Sequence, residues 1–467
     1  MIMRMRVARW TAALWLLPLA YASAPRPADW VPARWPWSDP ESLELLTGSP
    51  INCLLLRQYQ PELIAAANSN GIVTLAVLQP GGDAPAEARK ALADHVSGLV
   101  LDGDFSDTVA AAVREAAGTA PVIELGARSR MPLGSTVPIL GTDQGVWPGV
   151  ALEQDGGHKA GPTGSTWIDT NTGFIRAVRA WGNTPLWLGN QPPTGTVVTG
   201  ARYLQAIADA AISGARWVLA FDPDFAARLH RREADALANW RRMNELLRYF
   251  ESHPEWRGMQ EYGKLAVVQD PAKGGLLSGG ILDMIAVKHT PVKPIPRERL
   301  SPEALSGATM AVNVDPDALT PEQKEILRNF TRSGNTLLTG PAGWKDESPS
   351  AGRITLDKPE LARLNDIWRD VNSMIGRRNL GVRLFNVSSM LSNVLAAADG
   401  KTVILHLVNY SDYPVEDVTV HFLGDFTHAT LLTPDGAAKP LSIYRDEDTR
   451  GVDIDKVAVC ATIRLEQ

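Results

Sequence analysis

The sequence predicts an α/β protein: a (β/α)8 barrel of the TIM type, followed by a Rossmann-like α/β domain and a small C-terminal all-β sandwich. From residue 51 to about residue 225, short apolar runs alternate with segments of helical periodicity, which is the pattern of parallel strands joined by helices. A shorter alternation of the same kind begins at Lys264. From about Leu384 the apolar residues recur with the period of two that indicates antiparallel strands. We therefore predict domain boundaries of 25–258, 262–378 and 384–467.

The barrel prediction rests on eight buried-type apolar runs. The predicted strands lie within residues 51–56, 72–78, 97–105, 121–126, 137–142, 166–168, 185–188 and 217–221. Asp107 is placed to cap the third helix, and the last barrel helix is predicted over 233–253. The stretch before the first run is rich in Pro and Trp, which favours an extended lead-in over a regular element. An open, doubly wound sheet remains the alternative, because a strand count does not distinguish an open sheet from a closed one.

The second alternation predicts a small Rossmann-like domain. A strand at 265–269 precedes a helix at 281–287, and three prolines at positions 291, 294 and 296 are expected to break the chain. Another strand within 307–315 leads to a helix with Thr320 as its N-cap and Gly334 at its end, and then to a strand at 336–340. No G-x-G-x-x-G turn is present, so we predict no dinucleotide cofactor.

The last part of the chain predicts a sandwich of short strands. Runs with period two fall at 402–408, 418–422, 428–432 and 457–465. Turn-forming pairs such as Tyr413-Pro414 separate them.

Composition and charge exclude several classes of function. The chain has 467 residues and a net charge of -6, so it offers no basic field for nucleic acid. Cys53 and Cys460 are the two cysteines in the sequence and cannot form a zinc cluster, and no H-E-x-x-H pattern occurs, so we predict no metal site. The absence of a G-x-S-x-G elbow argues against an α/β-hydrolase.

The N-terminus has the pattern of a secretory signal peptide. Arg4, Arg6 and Arg9 precede an apolar run at 11–20 that is too short to span a bilayer, and small residues follow at Ala20 and Ala22. We predict cleavage after residue 22, export to the periplasm or beyond, and no membrane attachment of the mature chain. An uncleaved membrane anchor is the alternative.

Two segments of the later domains resemble known proteins. The sequences TPEQKEILRNFTRSGNTLLTG and VILHLVNYSDYPVEDVTV, with LLTPDG, resemble the trimerisation domain and terminal sandwich of bacterial glycoside hydrolases related to the family that includes many β-galactosidases. The resemblance implies a carbohydrate substrate, a catalytic barrel and a homotrimer. That family uses a glutamate in an Asn-Glu-Pro-like turn, whereas Asn190-Gln191-Pro192 here carries glutamine, which cannot transfer a proton as a carboxyl group does. The catalytic pair of the family is therefore not transferred.

Glycoside hydrolysis usually requires two carboxyl groups, about 5 Å apart for retention and roughly 6.5 to 9.5 Å apart for inversion. The carboxylates at or just after the carboxyl ends of predicted strands are Asp102, Asp104, Glu124, Asp143, Asp169, Asp222 and Asp224. We select Asp169 and Asp222 as the catalytic pair and Glu124 as the reserve. Helix capping is the alternative for Asp169, an Asx turn for Asp222, and an arginine ion pair for Glu124.

The expected substrate-binding residues combine hydroxyl-binding groups with flat rings. Pyranose rings stack on aromatic faces, and amides and carboxylates bind sugar hydroxyls, although buried tryptophans more often belong to a core. The candidates are Asp102, Asn171, Asn190, Gln191, Trp147 and Trp187. Two functions remain open: an O-glycoside hydrolase acting on an oligo- or polysaccharide, and a non-catalytic carbohydrate-binding or scaffold protein with a degenerate glycosidase-like barrel.

Overall fold

The computed structural model describes residues 25–148, 151–152, 158–159, 171–269, 289–314, 319–339, 366, 369–387, 389–446 and 449–467. The predicted signal peptide, the predicted strand at 166–168 and the predicted helix at 281–287 lie outside these residues. The predicted fold class is confirmed: a parallel barrel is followed by a parallel α/β sheet and by antiparallel sheets.

The barrel portion contains short strands separated by helices. Its strands are β1 (Pro32–Arg34), β2 (Cys53–Leu56), β3 (Val73–Leu78), β4 (Gly98–Asp102), β5 (Val122–Leu125), β6 (Leu140–Thr142), β7 (Ala151–Leu152), β8 (His158–Lys159), β9 (Leu186–Gly189) and β10 (Arg216–Val218). Its helices are α1 (Pro61–Ser69), α2 (Ala84–Ala93), α3 (Asp107–Ala117), α4 (Asn171–Arg179), α5 (Gly200–Ile212), α6 (Pro223–His230) and α7 (Ala234–Glu251). Strands β7 and β8 form a separate antiparallel pair, and the other strands build the barrel.

The barrel is closed. Strands β1 to β5 pair in sequence order, and β6 pairs with β9, which pairs with β10. Two parallel bridges, Gly126 to Thr142 and Ala33 to Leu219, join these two groups into a ring. The Arg34 backbone N–H donates to the Leu219 carbonyl at 2.7 Å across the second junction. The open-sheet alternative is therefore wrong.

The strand order corrects the expectation for the lead-in and shows which strands are neighbours in the ring. The Pro- and Trp-rich lead-in contains barrel strand β1, and Pro32 occupies its first position, where a missing N–H group is tolerated. Leu140 of β6 pairs directly with Leu186 of β9, so no strand lies between them in the ring. The ring of described strands contains eight strands because β1 is one of them.

Alternate residues of each strand face the barrel interior. Leu55, Leu75, Val100, Trp187 and Val218 belong to one buried cluster there, whereas the residues between them pack against the surrounding helices. At the start of α3 the N-cap is Ser106, whose hydroxyl accepts from the Val109 N–H at 3.3 Å, and not Asp107 as predicted. Short 3-10 turns lie at Pro27–Asp29, Pro40–Leu46, Arg128–Arg130, Pro254–Gly258, Arg297–Arg299 and Arg377–Asn379.

The middle domain is a four-stranded parallel sheet. After β11 (Gln260–Glu261), its elements are β12 (Leu265–Gln269), β13 (Val292–Pro296), β14 (Met310–Asn313), α8 (Pro321–Arg332) and β15 (Thr336–Thr339), in the spatial order β13-β12-β14-β15. Thr320 and Gln323 form the capping box that starts α8. The prolines expected to break the chain instead lie in and beside β13, an edge strand, where proline is permitted because one side of the strand needs no donors.

The C-terminal domain is an antiparallel sandwich. Its strands are β16 (Val382–Phe385), β17 (Met390–Ala396), β18 (Thr402–Asn409), β19 (Val415–Phe422), β20 (His428–Leu432), β21 (Lys439–Leu441), β22 (Tyr444–Asp446), β23 (Thr449–Val457) and β24 (Cys460–Glu466). The sheets β11-β17-β18-β24-β20-β21 and β16-β19-β23-β22 enclose one apolar core. The strand predicted over 457–465 is found as β24, but it starts at Cys460, because Val457 ends β23 and the chain then crosses from one sheet to the other.

The sandwich packs directly on the barrel helices. Arg202 of α5 donates to the Tyr410 carbonyl at 2.8 Å, and Gln205 donates to the Asn409 carbonyl at 3.1 Å. Among the described helices, none has the length and apolar character needed to cross a bilayer.

Candidate active site

Polar side chains converge where the barrel strands end at their carboxyl termini. Asp102 ends β4 two residues after the inward-facing Val100, so the strand alternation directs its carboxylate into the barrel. Arg34 ends β1 next to Ala33, which packs on the outer layer, so Arg34 also faces inward. Active sites of (β/α)8 barrels lie at this end.

Asp102 is the centre of a dense hydrogen-bond network. Arg34 donates to both of its carboxylate oxygens, at 2.6 Å to Oδ1 and 2.8 Å to Oδ2. Gln79 and Arg57 also donate to Oδ2, at 2.8 Å and 3.1 Å. Oδ1 therefore accepts one hydrogen bond from these groups and Oδ2 accepts three.

These contacts fix the charge of Asp102. Burial alone would raise its pKa, but the hydrogen bonds and positive charges of Arg34 and Arg57 outweigh burial and hold the pKa of Asp102 below its usual range. The side chains of Asp102 and Arg34 are 6% and 10% exposed. Asp102 is thus a buried and permanently ionised carboxylate at neutral pH.

Asp143 has the opposite environment. It follows β6 directly, and its carboxylate accepts no hydrogen bond from another side chain in the described part of the chain. Burial, together with the negative charges of Asp102 and Asp104, raises the pKa of Asp143 to about 6. Asp143 therefore binds and releases a proton near neutral pH, which is what a general acid requires.

A cavity of about 250 Å³ opens beside these residues. Arg34 and Arg57 line it together with Gln58 and Gln191, and Phe221 contributes an aromatic wall. Asp102 lies against the two arginines.

The structure gives Asp222 a structural role at the start of α6. Its Oδ1 accepts the backbone N–H groups of Asp224 and Phe225 at 3.1 Å and 3.0 Å, which is an N-cap. Its Oδ2 accepts the Tyr203 hydroxyl at 2.7 Å. With 1% of its surface exposed, Asp222 is engaged in capping and core packing.

Glu124 lies on the outer face of the barrel. It stands between Ile123 and Leu125, which both belong to the interior cluster, so its own side chain points the other way. It forms an ion pair with Arg114 of α3 and is 40% exposed. The third predicted carboxylate, Asp169, lies outside the described residues and remains a prediction.

The predicted sugar-binding residues Asn171, Trp147 and Trp187 are buried structural residues. Asn171 is fully buried; its side chain donates to the Val146 carbonyl at 2.7 Å and accepts from the Val146 N–H at 2.8 Å. Trp187 is 0% exposed inside the barrel, and Trp147 is 3% exposed, with its indole N–H donating to the Gln191 carbonyl at 3.0 Å. None of the three offers a free face to a ligand in this structure.

Asn190 and Gln191 follow β9 at the barrel mouth. The Asn190 amide donates to the Gly145 carbonyl at 2.5 Å, which holds the neighbouring loop. Gln191 is exposed and lines the cavity. Of the substrate-binding candidates, Asp102 and Gln191 are the two that the structure brings to the mouth beside the arginines.

Sequence reasoning missed Arg34 and Arg57, and it named Asp143 without selecting it. Arg34 lies in the stretch interpreted as a lead-in, and Arg57 is one arginine among many directly after an apolar run. The available signal was position, because each of these residues immediately follows or ends a barrel strand. Among the described residues, no group of three or more His, Cys, Asp and Glu side chains is arranged to hold a metal ion.

Comparison with solved structures identifies the architecture. The chain resembles an α-L-fucosidase isoenzyme 2 from Paenibacillus thiaminolyticus, with a TM-score of 0.59 and 10% identity over 92% of this chain and 96% of that one. It resembles a cold-adapted β-galactosidase from Rahnella sp. R3, with a TM-score of 0.54 and 10% identity over 94% of this chain and 98% of that one. It also resembles a β-galactosidase from the psychrophilic Marinomonas ef1, with a TM-score of 0.51 and 12% identity over 95% of this chain and 99% of that one.

These likenesses confirm the resemblance to multidomain glycoside hydrolases at the level of the fold. No protein-family model matches the sequence, and comparison with curated proteins gives no match. Because fold does not determine function, the activity has to be argued from the site.

Proposed function

We propose that this protein is an exported glycoside hydrolase that cleaves O-glycosidic bonds of an oligo- or polysaccharide, with Asp143 as the general acid and Asp102 as the ionised carboxylate. The observation that supports the proposal most strongly is the opposite perturbation of two neighbouring carboxyl groups at the barrel mouth. Environments that push two pKa values apart assign one group to the acid form and the other to the base form. The fold shared with known glycoside hydrolases supports the same reaction class.

The proposed roles follow from the contacts. Asp143, protonated below about pH 6, donates its proton to the oxygen of the leaving group. Asp102 remains negative and stabilises the positive charge that develops on the sugar ring. Oδ1 is the oxygen proposed to interact with this charge, because Oδ2 already accepts three hydrogen bonds. A water molecule then adds to the anomeric carbon and gives its proton to Asp143, which the first step left ionised.

A second function is favoured by one specific observation. The carboxylates of Asp102, Asp222 and Glu124 all have protein partners in the structure. A non-catalytic carbohydrate-binding protein with a degenerate barrel would have such a set, because it no longer needs a free nucleophile.

The decisive experiment is a turnover assay on a panel of oligo- and polysaccharides with the wild-type chain, Asp143→Asn and Asp412→Asn. Asp412 is a 70% exposed partner of Arg202 on the sandwich, so its variant controls for the loss of one carboxylate elsewhere. We expect activity in the wild type and the control and its loss in Asp143→Asn. Sugar binding without turnover in all three proteins would establish the non-catalytic alternative. Asp169→Asn belongs in the same panel, because the prediction for that residue stands.

Export and assembly complete the proposal. The residue pattern at 1–22 supports secretion to the periplasm or beyond, and N-terminal sequencing of the secreted chain should begin at residue 23. The resemblance of the middle domain supports a homotrimer, which light scattering of the purified protein tests.

A further inference from the structure

The cavity at the barrel mouth is lined by arginine side chains and, among the described residues, by no carboxylate. Two guanidinium groups, from Arg34 and Arg57, form part of its wall, and among the described residues the lining contains no Asp or Glu. Asp102 neutralises one positive charge from its buried position. The charged groups that a ligand meets directly in the wall are therefore the two guanidinium groups.

Arg57 is the guanidinium available to a ligand. Its side chain is 53% exposed, and one of its nitrogens donates to Asp102 at 3.1 Å. A guanidinium carries five N–H donors, so donors remain for a second acceptor. Arg34 is held bidentately by Asp102 and supports Arg57 as a fixed, buried charge behind it.

The rest of the lining fits a sugar ring. Gln58 and Gln191 are exposed amides that can bind hydroxyl groups, and Phe221 provides an apolar surface against which a ring can pack. The volume of about 250 Å³ lies below the range of about 300 to 1,000 Å³ typical of drug-sized ligands, which favours a single ring.

We propose that the sugar bound in this cavity is a uronic acid residue, whose carboxylate pairs with Arg57 while its hydroxyl groups contact Gln58 and Gln191. The planar guanidinium group of arginine can donate two parallel hydrogen bonds to the two oxygens of a carboxylate. The inference rests on the proposed function, because it specifies the substrate class of the same site, namely acidic oligo- or polysaccharides.

Binding of monosaccharides tests the inference separately from catalysis. Isothermal titration calorimetry of the full mature chain is run with galacturonate, glucuronate, galactose, glucose and a sulfated galactose. At least one uronate should bind about tenfold or more tightly than its neutral counterpart. Arg57→Gln should weaken uronate binding much more than neutral-sugar binding and so remove that preference, whereas Arg57→Lys should retain part of it.

The matched control is Arg241→Gln, an exposed arginine of α7 whose side chain bonds to its own helix at Leu237. It removes the same charge from the protein and should leave all affinities unchanged. Three results would each overturn the inference: acidic and neutral sugars bind equally well, Arg57→Gln weakens the binding of both equally, or only the sulfated sugar binds tightly. Uronate binding without turnover would uphold the inference while the hydrolase proposal fails.

Discussion

Replacement of Asp102 by Asn tests the charge network at the barrel mouth. The carboxylate accepts four hydrogen bonds, from Arg34 twice, Arg57 and Gln79. Asparagine has a single acceptor oxygen, so an amide N–H would face at least one of these donors, and Arg34, with a side chain 10% exposed, would lose its counter-charge. Removing one partner of a buried ion pair typically costs about 3–5 kcal/mol, because the other charge remains buried.

The matched control is Asp412→Asn. Its partner Arg202 is 9% exposed, close to the value for Arg34, but Asp412 itself is 70% exposed, so this variant should cost no more than about 1 kcal/mol. The two pairs thus differ in the burial of the carboxylate, and Arg202 also keeps its hydrogen bonds to Gln205 and the Tyr410 carbonyl. The measurement is urea unfolding at pH 7 followed by tryptophan fluorescence, since all tryptophans in the described part of the chain lie in the barrel portion.

The pH dependence gives a second test of the same variant. The pKa of Asp102 is lower in the folded chain than in the unfolded chain, so its stabilisation is complete above the unfolded value of about 4 and is lost as the pH falls through the folded pKa. The gap between wild type and Asp102→Asn should therefore be constant near neutrality and narrow only below about pH 4. A cost no larger than that of Asp412→Asn would refute the view that Arg34 depends on this carboxylate.

Four further predictions concern three residues of the barrel. Asp143→Asn should lower kcat by about 10²–10⁴-fold and remove the loss of activity above about pH 6; unchanged turnover would exclude Asp143 as the acid. Because the pKa of Asp143 is raised on folding, the wild type should lose stability as the pH rises from about 4 to about 6. Thermal unfolding of Asp143→Asn over the same pH range should lack this loss. Glu124→Gln should leave kcat unchanged and alter the free energy of unfolding by less than about 1 kcal/mol, since its ion pair with Arg114 is exposed; a large loss of activity in a folded variant would restore its catalytic candidacy. Trp187→Ala should cost about 3–5 kcal/mol of stability, because the ring is fully buried in the barrel, whereas a raised KM with unchanged stability would indicate contact with sugar.

The fold was largely predictable because periodicity records which side of each element is buried. Strand β3 and helix α8 fall where their apolar pattern and capping residues place them. Strand β1 was missed because proline and tryptophan dominate its surroundings, and a three-residue strand carries too little pattern to outweigh them. Strand β13 was missed because proline is unfavourable in most strands and is tolerated at an edge, and edge position is a tertiary property.

The candidate site was less predictable because chemistry depends on which groups meet. Asp222 and Asp143 look alike in sequence, each an aspartate after a barrel strand. In the structure, Asp222 caps a helix and bonds to Tyr203, whereas the Asp143 carboxylate accepts no side-chain hydrogen bond from the described residues and lies beside two negative charges. Glu124 was selected as a site carboxylate, but side chains alternate along a strand, and Ile123 and Leu125 on either side of it point into the barrel. The Glu124 side chain therefore lies on the outer face.

The sequence by itself determined the three-part architecture, the helix caps of the middle domain and the end of the barrel where function is expected. These features depend on local periodicity and on the preferences of single residues. The tertiary structure alone decided which carboxylates have partners, because the curvature of the β1–β5 sheet brings Arg34 of the first strand to Asp102 of the fourth across 68 positions of sequence. That pairing leaves Asp102 charged and Arg57 facing the cavity, and no local pattern records it.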